Sequence, residues 1–411
     1  MTADFYVWII FLLAAVYCIG VSIIHRWLLW PLVLAYLARS FLFFLYFFNI
    51  FKPPGADTDA LRFTRTAFEW SQLSWPNLFS LDVLFSSLFY SWLGAIIMKL
   101  VGVSIYILPV MSFLCSYVVV ATTSLIAYYL WGKRSATIVA FVMALYPFAA
   151  FNSILALREE VAIMFFVLGL YYFLRWVGGK SILGLMSGCF FFGVAVLFHP
   201  GWVGAFVGVA AYLAFFLYKV IFKSDTKNVP FHDTVKILLS SAMLVSSLVM
   251  VAVGGGVSLG KGVEIGADEG GGIGEAIESR FERPSRGGSG YPGFLVQGNP
   301  YTQPWLIPGR IIYFHFSPFP WDIGSIRQLL GVISSLLYMF LAWRVYKGWN
   351  TIKYREECLA MLFIFGALTF IYAIGVTNIG TAIRHKTKLL PIFILLAAAS
   401  FHTLSIKIRR T

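Results

Sequence analysis

A chain of 411 residues that is 60% hydrophobic, 18% aromatic and only 12% charged carries more apolar surface than a soluble fold can hide, which excludes a soluble globular protein. The net charge of +13 therefore reads as basic cytoplasmic loops. No basic run with interleaved aromatics lies outside the apolar stretches, so nucleic acid is excluded as a partner.

Taken in chain order, twelve apolar stretches are predicted as helices: residues 5–24, 27–48, 81–101, 104–131, 136–154, 161–176, 181–198, 201–222, 236–255, 326–346, 357–376 and 389–405. Each approaches the roughly 20 residues needed to cross a bilayer. The first lacks a basic n-region and a small-x-small cleavage site, so it is expected to be retained. Cys18, Cys115, Cys189 and Cys358 all fall in these stretches without CxxC spacing and read as small buried hydrophobes.

Two regions are not expected to span. Residues 49–80 form an external loop whose amphipathic piece, Asp59 to Trp75, lays Leu61, Phe63, Phe68 and Trp70 along the interface. Residues 254–325 form a long external loop, Gly-rich over 254–300 and too polar to bury a core. It closes on an aromatic lip containing Trp305, Arg310, Tyr313, His315, Trp321 and Asp322.

Basic residues in the second half fall at alternate loops: Lys133 and Arg134, Arg175 and Lys180, Lys219 with Lys223 and Lys227, Arg344 to Arg355, and Lys407 to Arg410. Those loops share the cytoplasm, and the Arg158 and 377–388 loops share the other face. Twelve crossings would put Asp57 in the cytoplasm. An odd number cures this, either because residues 81–101 re-enter or because 104–131 breaks near Pro109. The expected fold is an all-α, polytopic transmembrane domain over residues 1–411, with about eleven to thirteen helices and the N-terminus outside.

Three charge clusters interrupt this apolar background. Asp57 and Asp59 follow Lys52-Pro53-Pro54-Gly55, a turn that presents carboxylates at a helix end. Asp57 is a candidate general base; Asp59 is a substrate contact or the cap of the next helix. Arg158-Glu159-Glu160 opens a helix, where an arginine can fork onto a phosphate and a glutamate can act as base, as ion-pair partner or as complement to the helix dipole. Arg384, His385, Lys386 and Lys388 put basic charge on an external loop, against the positive-inside trend, which points to an anionic ligand or to anionic headgroups. Lys388, nearer the next span, is expected to tolerate alanine better than Arg384 tolerates lysine. His199 closes a helix and is a cap or a catalyst; Arg39 lies deep in a span and is functional or snorkels. Gly255 to Gly262 fits GxxxxGK but lacks the following Ser or Thr, and the six histidines show no paired ligand spacing, so neither a P-loop nor a protein-built metal site is expected.

These motifs resemble the bacterial polysaccharide polymerases of the Wzy and EpsG-like type, within the GT-C class of lipid-linked-sugar glycosyltransferases. Gly55-x-Asp57 followed by Phe63 is similar to a Gly-x-Asp-Tyr loop, though no tyrosine directly follows Asp57. Leu157-Arg158-x-x-x-Ala162 with Phe198-His199, and Gly380-Thr381-Ala-x-Arg384-His385-Lys386, resemble the family's later motifs. The resemblance covers about a tenth of the sequence. It implies an enzyme in the bacterial inner membrane, with its active site facing the periplasm or exterior; since no ligand set for a divalent ion is visible, that enzyme is expected to be metal-independent and without cofactor. Donor and acceptor would be polyprenyl-pyrophosphate-linked saccharides, polymerised into O-antigen, capsule or exopolysaccharide, with flippase and chain-length regulator proteins as possible partners. Asp57, Glu159 and His199 would be catalytic. Arg158, Arg384, His385 and Lys386 would bind phosphate, and Asp59, Arg310, His315 and Trp321 would bind substrate. A transferase adding one sugar from a polyprenyl phosphate, a ligase moving finished glycan to a lipid or protein, and a lipid-linked-saccharide flippase stay open as alternatives.

Overall fold

The computed structural model describes residues 3–84, 86–179, 183–223, 257–258, 264–265, 290–296, 303–324 and 326–403. The expected span at 236–255, most of the Gly-rich segment with its GxxxxGK, Lys180 and the basic residues from Lys407 onward lie outside the described residues. Apart from a strand pair, Val257–Ser258 with Glu264–Ile265, the described elements are helical.

Helices α1 (Ala3–Ile24) and α2 (Leu29–Phe47) pack as an antiparallel pair, with Trp8 stacked on Phe44 and Phe11 edge-on to Phe43. The chain then leaves and returns to the same end of the bundle, because Tyr106 lies against Phe47 with ring centroids 4.7 Å apart. The excursion holds a π-helical turn (Ala56–Ala60), α3 (Leu61–Ser71), α4 (Trp75–Phe79) and α5 (Phe89–Val101). At 13 residues, α5 is too short to cross. Along α3, Phe63, Ala67 and Ser71 recur every four residues and are buried, while Leu61 and Phe68 are exposed. Lys99 of α5 donates to the carbonyls of Ser71 (3.1 Å) and Leu73 (2.6 Å), capping the negative end of α3.

Helix α6 (Ile107–Leu145) consists of two helical limbs that meet at a kink at Gly132, between the expected spans 104–131 and 136–154. No break occurs near Pro109. That proline is the third residue of the helix, where its missing N–H has no intrahelical partner to lose. The bend comes instead at Gly132, whose φ of +77° suits a residue without a Cβ. The second limb stops before Pro147, which opens α7 (Pro147–Ser153). Arg39 of α2 donates to the carbonyls of Ala144 (2.7 Å) and Met143 (3.2 Å), so this deep charge satisfies the last turn of α6.

Helices α8 (Glu159–Val177) and α9 (Gly184–Phe198) cross where Gly169 meets Gly188. A Cβ on Gly169 would stand 2.6 Å from the Phe192 ring and 3.0 Å from the Gly188 carbonyl oxygen, so the bare glycine backbone lets both approach. A 3₁₀ turn (Pro200–Trp202) leads into α10 (Val203–Lys223). The remaining helices are α11 (Gly293–Val296), α12 (Leu306–Phe316), α13 (Ile326–Ile352), α14 (Glu356–Gly375) and α15 (Ile379–Ala397). The basic stretch expected as a loop is helical from Ile379 onward. Asn378 starts it, its Oδ1 accepting from the backbone N–H of Gly380 (2.9 Å) and Thr381 (3.3 Å).

Among the described residues seven helices are long and apolar enough to cross a membrane, and the protein is a polytopic membrane protein. The bundle has two unlike poles. At one, Lys219 pairs with Glu356 at 2.9 Å and Arg355 with Glu357 at 3.3 Å. The other collects the start of α8, the end of α9, the π-helical turn and the start of α15, as the contacts below show.

Candidate active site

The turn into α8 is fixed from below. Tyr90 donates to the Leu108 carbonyl (2.8 Å), and Ser112 lies 3.0 Å from the Tyr90 hydroxyl and donates to the Leu157 carbonyl (2.9 Å). That holds Arg158 at the cap position and Glu159 as the first helical residue.

The three charge clusters converge on Arg384. Its Nε and Nη2 reach one oxygen of Glu159, Oε1, at 2.8 and 2.6 Å, and Nη1 pairs with Asp59. Lys388, one turn along α15, brings its Nζ within 3.7 Å of the same Glu159 oxygen and 3.1 Å of His385 Nδ1. Its ammonium also lies over the Tyr372 ring, 5.3 Å from the centroid. Tyr372, His385 and His199 form a ring cluster with centroids 5.1 to 5.7 Å apart. His199 Nδ1 accepts from the backbone N–H of Gly201 at 3.1 Å.

Arg158 stands apart in one respect. It is only 9% exposed and its guanidinium lies 5.5 Å from the Phe63 ring centroid, yet its Nε and Nη1 are buried without a hydrogen-bond partner. Buried polar groups are nearly always paired, so two unpaired N–H groups on one cation leave this side chain with unused donors. Burial pulls the Arg158 pKa below its ordinary value, with Glu159 opposing. Burial, and after it the Lys388 and Arg158 cations, hold His199 well below the usual imidazole range, so its ring is neutral at pH 7. The Tyr372 hydroxyl and Glu159 Oε2 are likewise buried without a partner.

Thus Asp59, Arg158, Glu159, His199, Arg384 and His385 come together from distant parts of the sequence. Other candidates lie elsewhere. Asp57 points outward to Lys52, both exposed, at the rim of the cluster. Lys386 sits on the opposite side of α15 from Arg384, its ammonium taken up by the carbonyls of Ser317 (2.7 Å) and His315 (3.3 Å), so the phosphate role expected for it finds no support in the geometry. Arg310 donates to the carbonyls of Leu295 (2.9 Å) and Ile374 (3.0 Å), tying α11 to the end of α14. His315 packs among Tyr338, Phe365 and Phe393, with Nε2 3.1 Å from the Thr369 hydroxyl. Trp321 is 73% exposed, stacked on Phe319 and bonded to the Tyr313 hydroxyl at 3.1 Å. One site member carries little signal in the sequence: Tyr372 is one aromatic among many in an apolar helix. Lys388 belongs to the basic cluster seen in the sequence, and its place beside Arg384 follows from their i+4 spacing once that stretch is helical.

No family model matches the sequence, and no curated protein does. Among solved structures the chain is similar to the crystal structure of ArnT from Cupriavidus metallidurans in the apo state. The sequence identity is 13% and the TM-score 0.44, over 84% of this chain and 55% of that one. The chain therefore spans about half the length of that protein.

Proposed function

We propose that the protein is a membrane glycosyltransferase that polymerises polyprenyl-pyrophosphate-linked saccharides on the non-cytoplasmic face. The observation that carries this reading is the buried guanidinium of Arg158, with two unpaired N–H groups, next in sequence to Glu159, on which Arg384 and Lys388 converge. Such a pocket complements the charge that develops on a departing phosphate. An acceptor hydroxyl oxygen attacks the anomeric carbon as the bond to the pyrophosphate oxygen breaks, and the electron pair leaves with the phosphate. The hydroxyl proton passes to Asp57, the carboxylate exposed at the rim; Glu159 is committed to two cations. Side-chain cations do the electrostatic work, so no metal ion is invoked. The exposed Trp305 and Trp321 offer faces for sugar stacking.

The flippase reading would need a basic residue free within the spans to escort the headgroup. Arg39, the residue best placed for that, gives both its Nη groups to the carbonyls of α6. The test is the purified protein in liposomes with a polyprenyl-pyrophosphate oligosaccharide. A ladder of products is expected. A single added sugar from a polyprenyl-phosphate donor would replace polymerase by monoglycosyltransferase, and transbilayer movement without a new bond would overturn the enzyme.

The two lysines of α15 are expected to part company. Lys388→Ala removes a cation from the cluster and should lower transfer by at least tenfold, reversing its expected tolerance, since charge-assisted contacts contribute about 1.5–3 kcal/mol. Lys386→Met leaves two buried carbonyls without a donor and should instead lower stability by about 1–3 kcal/mol. Melting temperature and transfer, measured on both variants in one detergent, separate the two roles.

A further inference from the structure

The contacts at Nδ1 of the two site histidines point to which nitrogen of each ring carries the proton, directly at His199 and, with Lys388 as an ammonium, at His385. At His199 the partner of Nδ1 is the backbone N–H of Gly201, which can only donate, so Nδ1 must be unprotonated. At His385 the partner of Nδ1 is the Lys388 Nζ at 3.1 Å, and an ammonium has three donors and no acceptor. Both neutral rings therefore hold their proton on Nε2. They stand 5.5 Å apart, centroid to centroid, roughly perpendicular at 74°, and both pack on Tyr372. The nitrogen that a base would use is already occupied in each.

We infer that His199 and His385 act as a pair of Nε2–H donors to the anionic group received by Arg158, rather than as proton acceptors. The inference rests on the proposed function only for the identity of that anion. A neutral donor beside Arg158 has a clear physical use. It adds directed hydrogen bonds to a phosphate without adding further positive charge to a site already crowded with Arg158, Arg384 and Lys388.

The experiment uses the full chain in nanodiscs with ¹⁵N-labelled histidine, read by ¹⁵N–¹H correlation. Single histidine variants assign the signals, and inorganic pyrophosphate is the probe. Both residues are expected in the neutral Nε2–H tautomer, with the Nε2 signals of both moving as pyrophosphate binds. An Nδ1–H or doubly protonated ring at either position, or Nε2 signals that ignore pyrophosphate, would overturn the inference.

Substitution supplies a second measurement. A glutamine amide nitrogen falls near the Nε2 position, and an asparagine amide near Nδ1. At position 199 asparagine can still cap Gly201, so a purely structural histidine would prefer His199→Asn. The donor role predicts the reverse, with His199→Gln binding pyrophosphate about ten- to a hundredfold more tightly than His199→Asn. Equal affinities, or tighter binding by His199→Asn, would count against the donor. If pyrophosphate moves both Nε2 signals but no sugar is transferred, the glycosyltransferase reading fails alone. If transfer proceeds with silent Nε2 signals, the histidine inference fails alone.

Discussion

Arg158→Met is expected to raise the melting temperature of the ligand-free protein while abolishing transfer. Arginine here places a charge in a buried site and leaves two of its N–H groups unpaired. Each unsatisfied buried donor costs free energy, and replacing a buried charge by a well-packed apolar side chain is often stabilising, here by about 1–3 kcal/mol. Methionine keeps an apolar stem against Phe63. It cannot donate to a phosphate, so the loss of transition-state stabilisation should be roughly 10²–10³-fold in rate. The measurement is thermal unfolding in detergent beside transfer at matched protein concentration. A destabilised Arg158→Met would show that the guanidinium serves the fold, and the anion-receiving role would then pass to Arg384. Stability surrendered in exchange for function is a recurrent signature of working sites.

Glu159→Gln should move stability the other way. Glu159 is 1% exposed, and its Oε1 takes two N–H groups of Arg384 and faces Lys388. Removing its charge leaves two cations beside Arg158 with only the half-exposed Asp59 to answer them. Breaking a buried pair from one side typically costs about 3–5 kcal/mol. Transfer should fall as well, because Arg384 loses the partner that aims it. A Glu159→Gln protein that melts normally but is inactive would identify Glu159 as the base, acting through its unpaired Oε2. Normal melting with normal transfer would remove it from the site altogether.

The three charge clusters were legible in the sequence because charge is scarce in this chain, and a charge among apolar residues needs a reason to stay. Which member of each cluster enters the site was not legible. Asp57 and Asp59 are two residues apart, and the π-helical turn that carries them, rather than a plain loop, points the first at Lys52 and the second at Arg384. In the third cluster Asn378 turns an expected loop into helix, and only then does Lys388 join Arg384 while Lys386 leaves it. The bundle itself followed from hydropathy. The boundary between residues 104–131 and the next stretch was legible as well, from Gly132, Lys133 and Arg134; what hydropathy did not show is that Gly132 makes the turn by its backbone angle, with helix resuming at once. Arg39, which the sequence left open between function and snorkelling, donates to the carbonyls at the end of α6.

The opposed lysines and arginine of α15 also make that helix rotationally indexed. Successive residues turn by about 100°, so Arg384 and Lys388 share one meridian and Lys386 lies nearly opposite. Both meridians are engaged, one by Glu159 and the other by the carbonyls of His315 and Ser317. The helix is thereby keyed on two sides, like a shaft that enters its socket in a single phase. A residue inserted between Ile383 and Arg384 would force the downstream half to be mis-phased by about 100° or the upstream cap to be torn from Asn378. A residue added ahead of Asn378, in the connection from α14, would leave that phase untouched.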